Sequence, residues 1–327
     1  MHVMVMTLID SDARWKETGR PEYAGLLSFA RVPYTEDVED LADVDVAVVG
    51  APMDELASGR PGARFGPREI RAAGGWLGRH LDAEIEPLEV LKVVDFGDAP
   101  VVPADPAASH AAIERTVGEV VDAGALPLVL GGDHSIAEPD IRAVAQRTGP
   151  LGLVHFDAHT DTGKQIFGVE VSHGTPMYRL VEQGHVDGAR YVQVGLRGYW
   201  PGEEEFAWQR ERGISSIFMR DVIERGIQGV VEEVIEAVGP GPAFASIDVD
   251  VLDPAFAPDT GTPEPGGMAS ADLLWACREL AARVELAGAD VVEVSASGSG
   301  GDNITAMVGG RIAFELITGL ALRKARA

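Results

Sequence analysis

Apolar residues gather in eight short runs, at 44–49, 91–94, 127–130, 151–154, 191–194, 214–218, 243–247 and 290–294, each rich in Val, Ile and Leu. The runs are nearly continuous rather than alternating, which predicts strands covered on both faces, since a strand with one wet face shows a polar residue at every second position. Stretches of helical character separate them. Pro67 after Gly66 suits a first helical turn, Ser270 is placed to cap a helix starting at Ala271, and Asn303 to cap a helix over 304–322. Strand and helix therefore alternate to the end of the chain. The pattern predicts an α/β fold of three layers (α/β/α), with a mostly parallel sheet of about eight strands and function in the loops that leave the strands' carboxyl ends. No Pro, Gly or Ser tract divides residues 1–327, so one domain is expected. An arm over 1–40, which includes the acidic stretch Glu36-Asp37-Val38-Glu39-Asp40, fits the alternation less well; it either wraps a neighbouring subunit or packs on its own surface.

Charge narrows the partners. A net charge of -25 repels polyanions over most of the surface, which argues against nucleic acid and anionic membranes and leaves two readings, solubility alone or attraction of a small cation. No window is expected to reach the ~20 apolar residues of a membrane span, and residues 1–10 lack the basic start of a signal peptide, so a cytoplasmic location is expected. The single cysteine, Cys277, sits among Leu273, Leu274 and Leu280, where it reads as a packed hydrophobe.

Three segments carry the chemistry: Gly131-Gly132-Asp133-His134-Ser135, His155-Phe156-Asp157-Ala158-His159-Thr160-Asp161 and Ser246-Ile247-Asp248-Val249-Asp250. Each follows a predicted strand, so its side chains would project into one crevice. An isolated Asp-x-Asp is usually a loop cap, but its joint occurrence with two His-bearing segments points to a metal centre and a hydrolase that activates water. Carboxylates and imidazoles without thiolate favour Mn, and less strongly Ni, Co or Zn, while four carboxylates carry enough charge for two dications. The lone cysteine argues against zinc-finger and haem readings.

With Ser58-Gly59-Arg60-Pro61-Gly62-Ala63-Arg64-Phe65-Gly66-Pro67, Ser172-His173-Gly174-Thr175-Pro176-Met177 and Thr260-Gly261-Thr262-Pro263-Glu264-Pro265-Gly266-Gly267, these segments make the chain resemble the ureohydrolase family of arginase and agmatinase over nearly its whole length, most closely the agmatinase branch. The resemblance implies an arginase-like fold, two Mn2+ ions (with Ni2+ or Co2+ as alternatives), hydrolysis of a guanidino compound to urea and an amine by a metal-bridging hydroxide, and a trimer or hexamer. It implies that His134, Asp157, Asp161 and Asp248 hold one metal, and that His159, Asp157, Asp248 and Asp250 hold the other. It assigns the hydroxide proton to Asp161, proton exchange with solvent to His173, and the guanidinium to Glu293. Asp133 and Ser135 are expected to orient ligands.

A guanidinium stays protonated in water and is a poor electrophile, so a positioned nucleophile, an anionic grip and a proton donor to the leaving amine are all required. Glu293 at a strand end supplies such a grip, or else pairs with a cation such as Arg311. After Glu293 the chain runs Ser295-Ala296-Ser297-Gly298-Ser299-Gly300-Gly301-Asp302-Asn303, where many agmatinase-like relatives have a stiffer loop with Pro and Tyr. That departure puts agmatine in question. Lys164 or Arg197 would favour a guanidino acid such as guanidinobutyrate or guanidinopropionate by pairing with its carboxylate, unless they serve a solvated loop and a structural ion pair. Tyr199 and Trp200 read equally as subunit contact or pocket wall. Two rivals remain: a formiminoglutamase-like hydrolase, and a non-catalytic metal-binding homologue.

Overall fold

The computed structural model describes residues 24–73, 75–296 and 303–326. Each of the eight apolar runs overlaps a strand: β1 Val46–Gly50, β2 Val93–Asp98, β3 Leu126–Leu130, β4 Leu151–Phe156, β5 Val186–Leu196, β6 Ser215–Phe218, β7 Ala243–Asp248 and β8 Leu286–Val292. They form one sheet in the order β2-β1-β3-β8-β7-β4-β5-β6, and every pairing is parallel. Buried on both faces, such strands have no use for alternating polarity, which is why the runs read as continuous.

Among the described residues nine helices complete the layers: α1 Gly66–Ala73, α2 Pro87–Val90, α3 Pro106–Asp122, α4 Ala137–Thr148, α5 Pro176–Glu182, α6 Glu203–Arg212, α7 Met219–Val238, α8 Ser270–Arg283 and α9 Ile304–Arg326. On one face α3, α4 and α5 pack side by side; on the other α7, α8, α9 and α1 do. Apolar clusters fill both interfaces. The strand order matters for function, because β3, β8, β7 and β4 are neighbours, and the loops after these four carry the chemical segments to one edge of the sheet.

Several details differ from expectation. Ala269, not Ser270, is the N-cap of α8; Ala269 keeps an extended backbone while Ser270 is already helical and makes no side-chain cap. Asn303 does cap α9, its Oδ1 accepting from the Ala306 amide at 2.8 Å. By length and composition α9 could cross a membrane, contrary to the expectation that no window would, yet 67% of its apolar window is buried inside the molecule. It is a core helix packed on α1 and α8. Cys277 is buried in α8. Residues 1–23 of the arm and 297–302 of the departing loop lie outside the described residues. The described part of the arm packs on its own chain: Phe29 is fully buried against Phe314, and its amide donates to Asp95.

Candidate metal centre and active site

β3 is followed by Gly131-Gly132, and the chain then turns sharply into a 3-10 helix at His134–Ile136. Only glycine fits at 132, since a Cβ there would fall 1.8 Å from the Met53 carbonyl oxygen. Asp133 caps the turn, accepting from the Ser135 amide through Oδ1 and from the Leu56 amide through Oδ2, both at 3.0 Å. His134 is thereby aimed inward, and its Nδ1 meets three carboxylates: Asp161 Oδ2 at 2.9 Å, Asp157 Oδ2 at 3.1 Å and Asp248 Oδ2 at 3.4 Å. That nitrogen is buried and has no hydrogen-bond partner.

Asp157 follows β4 and divides its oxygens. Oδ2 faces His134, while Oδ1 lies 3.4 Å from His159 Nδ1 and accepts from the His159 amide at 2.6 Å. His159 Nδ1 is also 3.1 Å from Asp250 Oδ2. Asp250, in the turn after β7, accepts from the Ala158 amide, and Asp248 Oδ1 accepts from the Asp250 amide at 2.8 Å. Period-two placement along an extended chain end explains why Asp157, His159 and Asp161 face one way, with Asp161 turned at φ +50° to join them.

The electrostatics demand positive charge. Burial and the neighbouring Asp250 and Asp157 push Asp248 well above the usual carboxylate range. Burial likewise raises Asp250 to about 6, against the pull of His159. Burial lowers His134 and His159, but the carboxylates around them outweigh it, lifting His159 to about 12 and His134 well above the usual range. A set of hard oxygens and imidazole nitrogens converging around an unsatisfied Nδ1 fits divalent cations, with His134, Asp157, Asp161 and Asp248 around one position and His159, Asp157 and Asp250 around a second.

Beside this cluster, Glu293 directly follows β8 with φ +63°, a left-handed backbone that stops the strand at Val292 rather than carrying it to 294. Its Oε1 accepts from the His134 amide at 2.9 Å and lies 3.1 Å from His173 Nδ1. Oε2 is buried without a partner and faces Gly261, where a Cβ would stand 3.0 Å away. Arg311 instead stacks over Phe314, so the alternative ion pair does not form. The Ser58 amide donates to His173 Nε2 at 3.0 Å, which requires a lone pair there and fixes the proton on Nδ1, toward Glu293. Burial lowers this imidazole, but Glu293 overrides it and lifts it to about 9. In the neutral form the proton therefore sits on Nδ1, and a second proton on Nε2, which Glu293 favours, would be taken up by Ser58 Oγ at 2.6 Å in place of the amide contact.

Residues the sequence did not single out support the cluster. His155 Nε2 lies 2.9 Å from Asp157 Oδ2, and its Nδ1 is held by Tyr191, which takes a hydrogen bond from Gln193. Ser246 Oγ lies 2.9 Å from His134 Nε2. The available signal was a polar residue two positions before a ligand inside an apolar strand, as in His155/Asp157 and Ser246/Asp248. Ser135 does not orient a ligand; its hydroxyl pairs with His110. Arg197 is not a substrate anchor, because its guanidinium is spent on backbone carbonyls, including those of Asp250 and Glu264 at 2.7 Å each. Lys164 is exposed, and its charge acts on Glu182. The Trp200 ring lies 6.4 Å from that of His159 and packs over Gly163 and Gly174, while Tyr199 is fully exposed.

The profile of the arginase family matches residues 44–319. The chain belongs to the arginase family. It is 44% identical to a guanidinopropionase of Pseudomonas aeruginosa, an alignment spanning 94% of this chain and 95% of that one. It is 36% identical to a guanidinobutyrase of the same organism, over 91% of this chain and 93% of the relative. The crystal structure of proclavaminate amidinohydrolase from Streptomyces clavuligerus superposes with a TM-score of 0.87 at 36% identity, covering 93% of this chain and all of that one.

Proposed function

We propose that this chain is a binuclear-metal amidinohydrolase that cleaves a guanidino acid of the guanidinopropionate or guanidinobutyrate type to urea and an amine. The observation that carries the reading is the convergence of Asp157, Asp161 and Asp248 on the partnerless His134 Nδ1, with the free Oε2 of Glu293 alongside. The guanidinopropionase at 44% identity supports a guanidino acid, while agmatinases match at 38% and 37%. When bound, two divalent cations supply Lewis acidity that brings the pKa of water down toward ~7 and offsets the cluster's negative charge. Hard donors make Mn2+ the proposed metal. We also propose a single domain, a homo-oligomer and a cytoplasmic setting.

Within this account Glu293 Oε2 grips the guanidinium cation, a charge-assisted pair in a nearly dry pocket. Asp161 takes the proton from the attacking water. His173 returns a proton to the leaving amine and exchanges with solvent through Ser58, whose Oγ lies 2.6 Å from Nε2 on an exposed turn. Incubating the Mn-loaded protein with a panel of guanidino and formimino compounds tests the reading. Urea with the guanidino acids is expected; formamide, or no product at all, would overturn it.

A further inference from the structure

Beneath His134, on the side away from the carboxylate cluster, a second pair of acids lies wholly inside the protein. Asp140 is in the first turn of α4 and Asp290 in β8, and both are completely buried. Asp290 Oδ1 accepts from Ser246 Oγ at 2.8 Å and from the Ile247 amide at 3.2 Å. Asp140 Oδ1 accepts from the Ile141 amide at 2.5 Å. The other oxygen of each, Oδ2, is buried with no donor, and α4 packs on β8 with Asp290 near enough to Asp140 to raise its pKa. Among the described residues, neither pairs with a Lys, Arg or His side chain. Two anions so placed would repel in a medium that screens them poorly, and each would carry an unsatisfied oxygen.

A proton removes both problems. We propose that Asp140 is a neutral carboxylic acid whose O–H donates to Asp290, and that this pair, carrying one negative charge, is the positioning base for His134. Ser246 gives its hydroxyl hydrogen to Asp290 and so must accept from His134 Nε2–H, which fixes the tautomer and leaves the Nδ1 lone pair aimed into the carboxylate cluster. Burial of both acids, and the charge of Asp290 on Asp140, favour this protonated form. Asp290 alone could orient Ser246, but without Asp140 its Oδ2 would remain a bare anionic oxygen in the core. Asp140 is therefore a positioning residue that acts through Asp290 and Ser246 without touching substrate.

The inference rests on His134 being a metal ligand, and the experiment separates the two ideas. Infrared spectra of the full-length protein at neutral pH should contain a protonated-carboxyl C=O band that disappears in Asp140→Asn. Mn2+ binding, measured by equilibrium dialysis, should stay within about twofold of wild type in Asp140→Asn, whose amide still donates to Asp290. It should weaken 10- to 100-fold in Asp140→Ala and Asp290→Ala, the usual effect of losing a group that orients a ligand. Asp140→Ala unchanged in Mn2+ affinity, or Asp140→Asn as weak as Asp140→Ala, would overturn the proposal, as would absence of the band. If Asp140→Ala does not fold, the infrared comparison and the Asp140→Asn affinity still decide. Wild-type protein that binds no Mn2+ would instead sink the metal centre itself.

Discussion

Asp157 presents one carboxylate oxygen to each of two histidines, Oδ2 to His134 at 3.1 Å and Oδ1 to His159 at 3.4 Å. A carboxylate so divided can serve both metal positions at once, whereas His134 reaches only one. Asp157→Ala is therefore expected to empty both positions and His134→Ala to deplete mainly one. Elemental analysis of the purified variants checks this; full occupancy in Asp157→Ala would end the shared-ligand assignment.

His173 touches Glu293 and Ser58 but none of the carboxylates around His134 at hydrogen-bond distance. His173→Ala should keep its metals yet lose ~10² to 10⁴ in kcat, the usual worth of a positioned acid or base. An unaltered rate and pH profile would return His173 to a structural role.

Glu293 has a free, buried oxygen beside a glycine, the arrangement that a planar cation requires. Glu293→Gln keeps the shape and removes the charge. Loss of several kcal/mol of transition-state stabilisation is expected, well above the ~1 kcal/mol of an exposed ion pair. Comparing kcat/KM at unchanged metal content measures it, and near-normal kinetics would remove Glu293 from the substrate site.

His110 supplies a pH signature independent of catalysis. Burial pushes its imidazole down to about 4, only partly opposed by Glu138. Between the unfolded value near 6.5 and about 4, the unfolded chain binds a proton that the folded chain refuses. The stability contributed by neutral His110 is thus whole above pH 6.5 and drains away as pH falls, by roughly 3 kcal/mol in all. Urea midpoints at about pH 7 and about pH 5 should diverge less in His110→Gln than in wild type. Equal acid sensitivity in both proteins would refute the assignment.

How much of this was legible beforehand depends on how local the cause is. Strands covered on both faces announce themselves as apolar runs, and ligands at strand ends as alternating His and Asp, so the sheet and the residues around His134 and His159 could be read directly. Contacts between distant segments could not. Asp290 meets Ser246 only because β8 lies beside β7, and Asp140 reaches Asp290 only because α4 packs on β8. Arg197 read as a substrate anchor or half of a structural ion pair, and only the loop after β7 brings backbone carbonyls around its guanidinium. The left-handed turn at Glu293 has no sequence signature, since nothing in the residue type favours it.

A two-metal centre that releases urea is tested most directly by urea formation from guanidinopropionate in protein stripped of metal and titrated with Mn2+. No urea is expected without metal, and release should rise and level off at two Mn2+ per chain. Undiminished release from the stripped protein, or a plateau at one Mn2+ per chain, would contradict it.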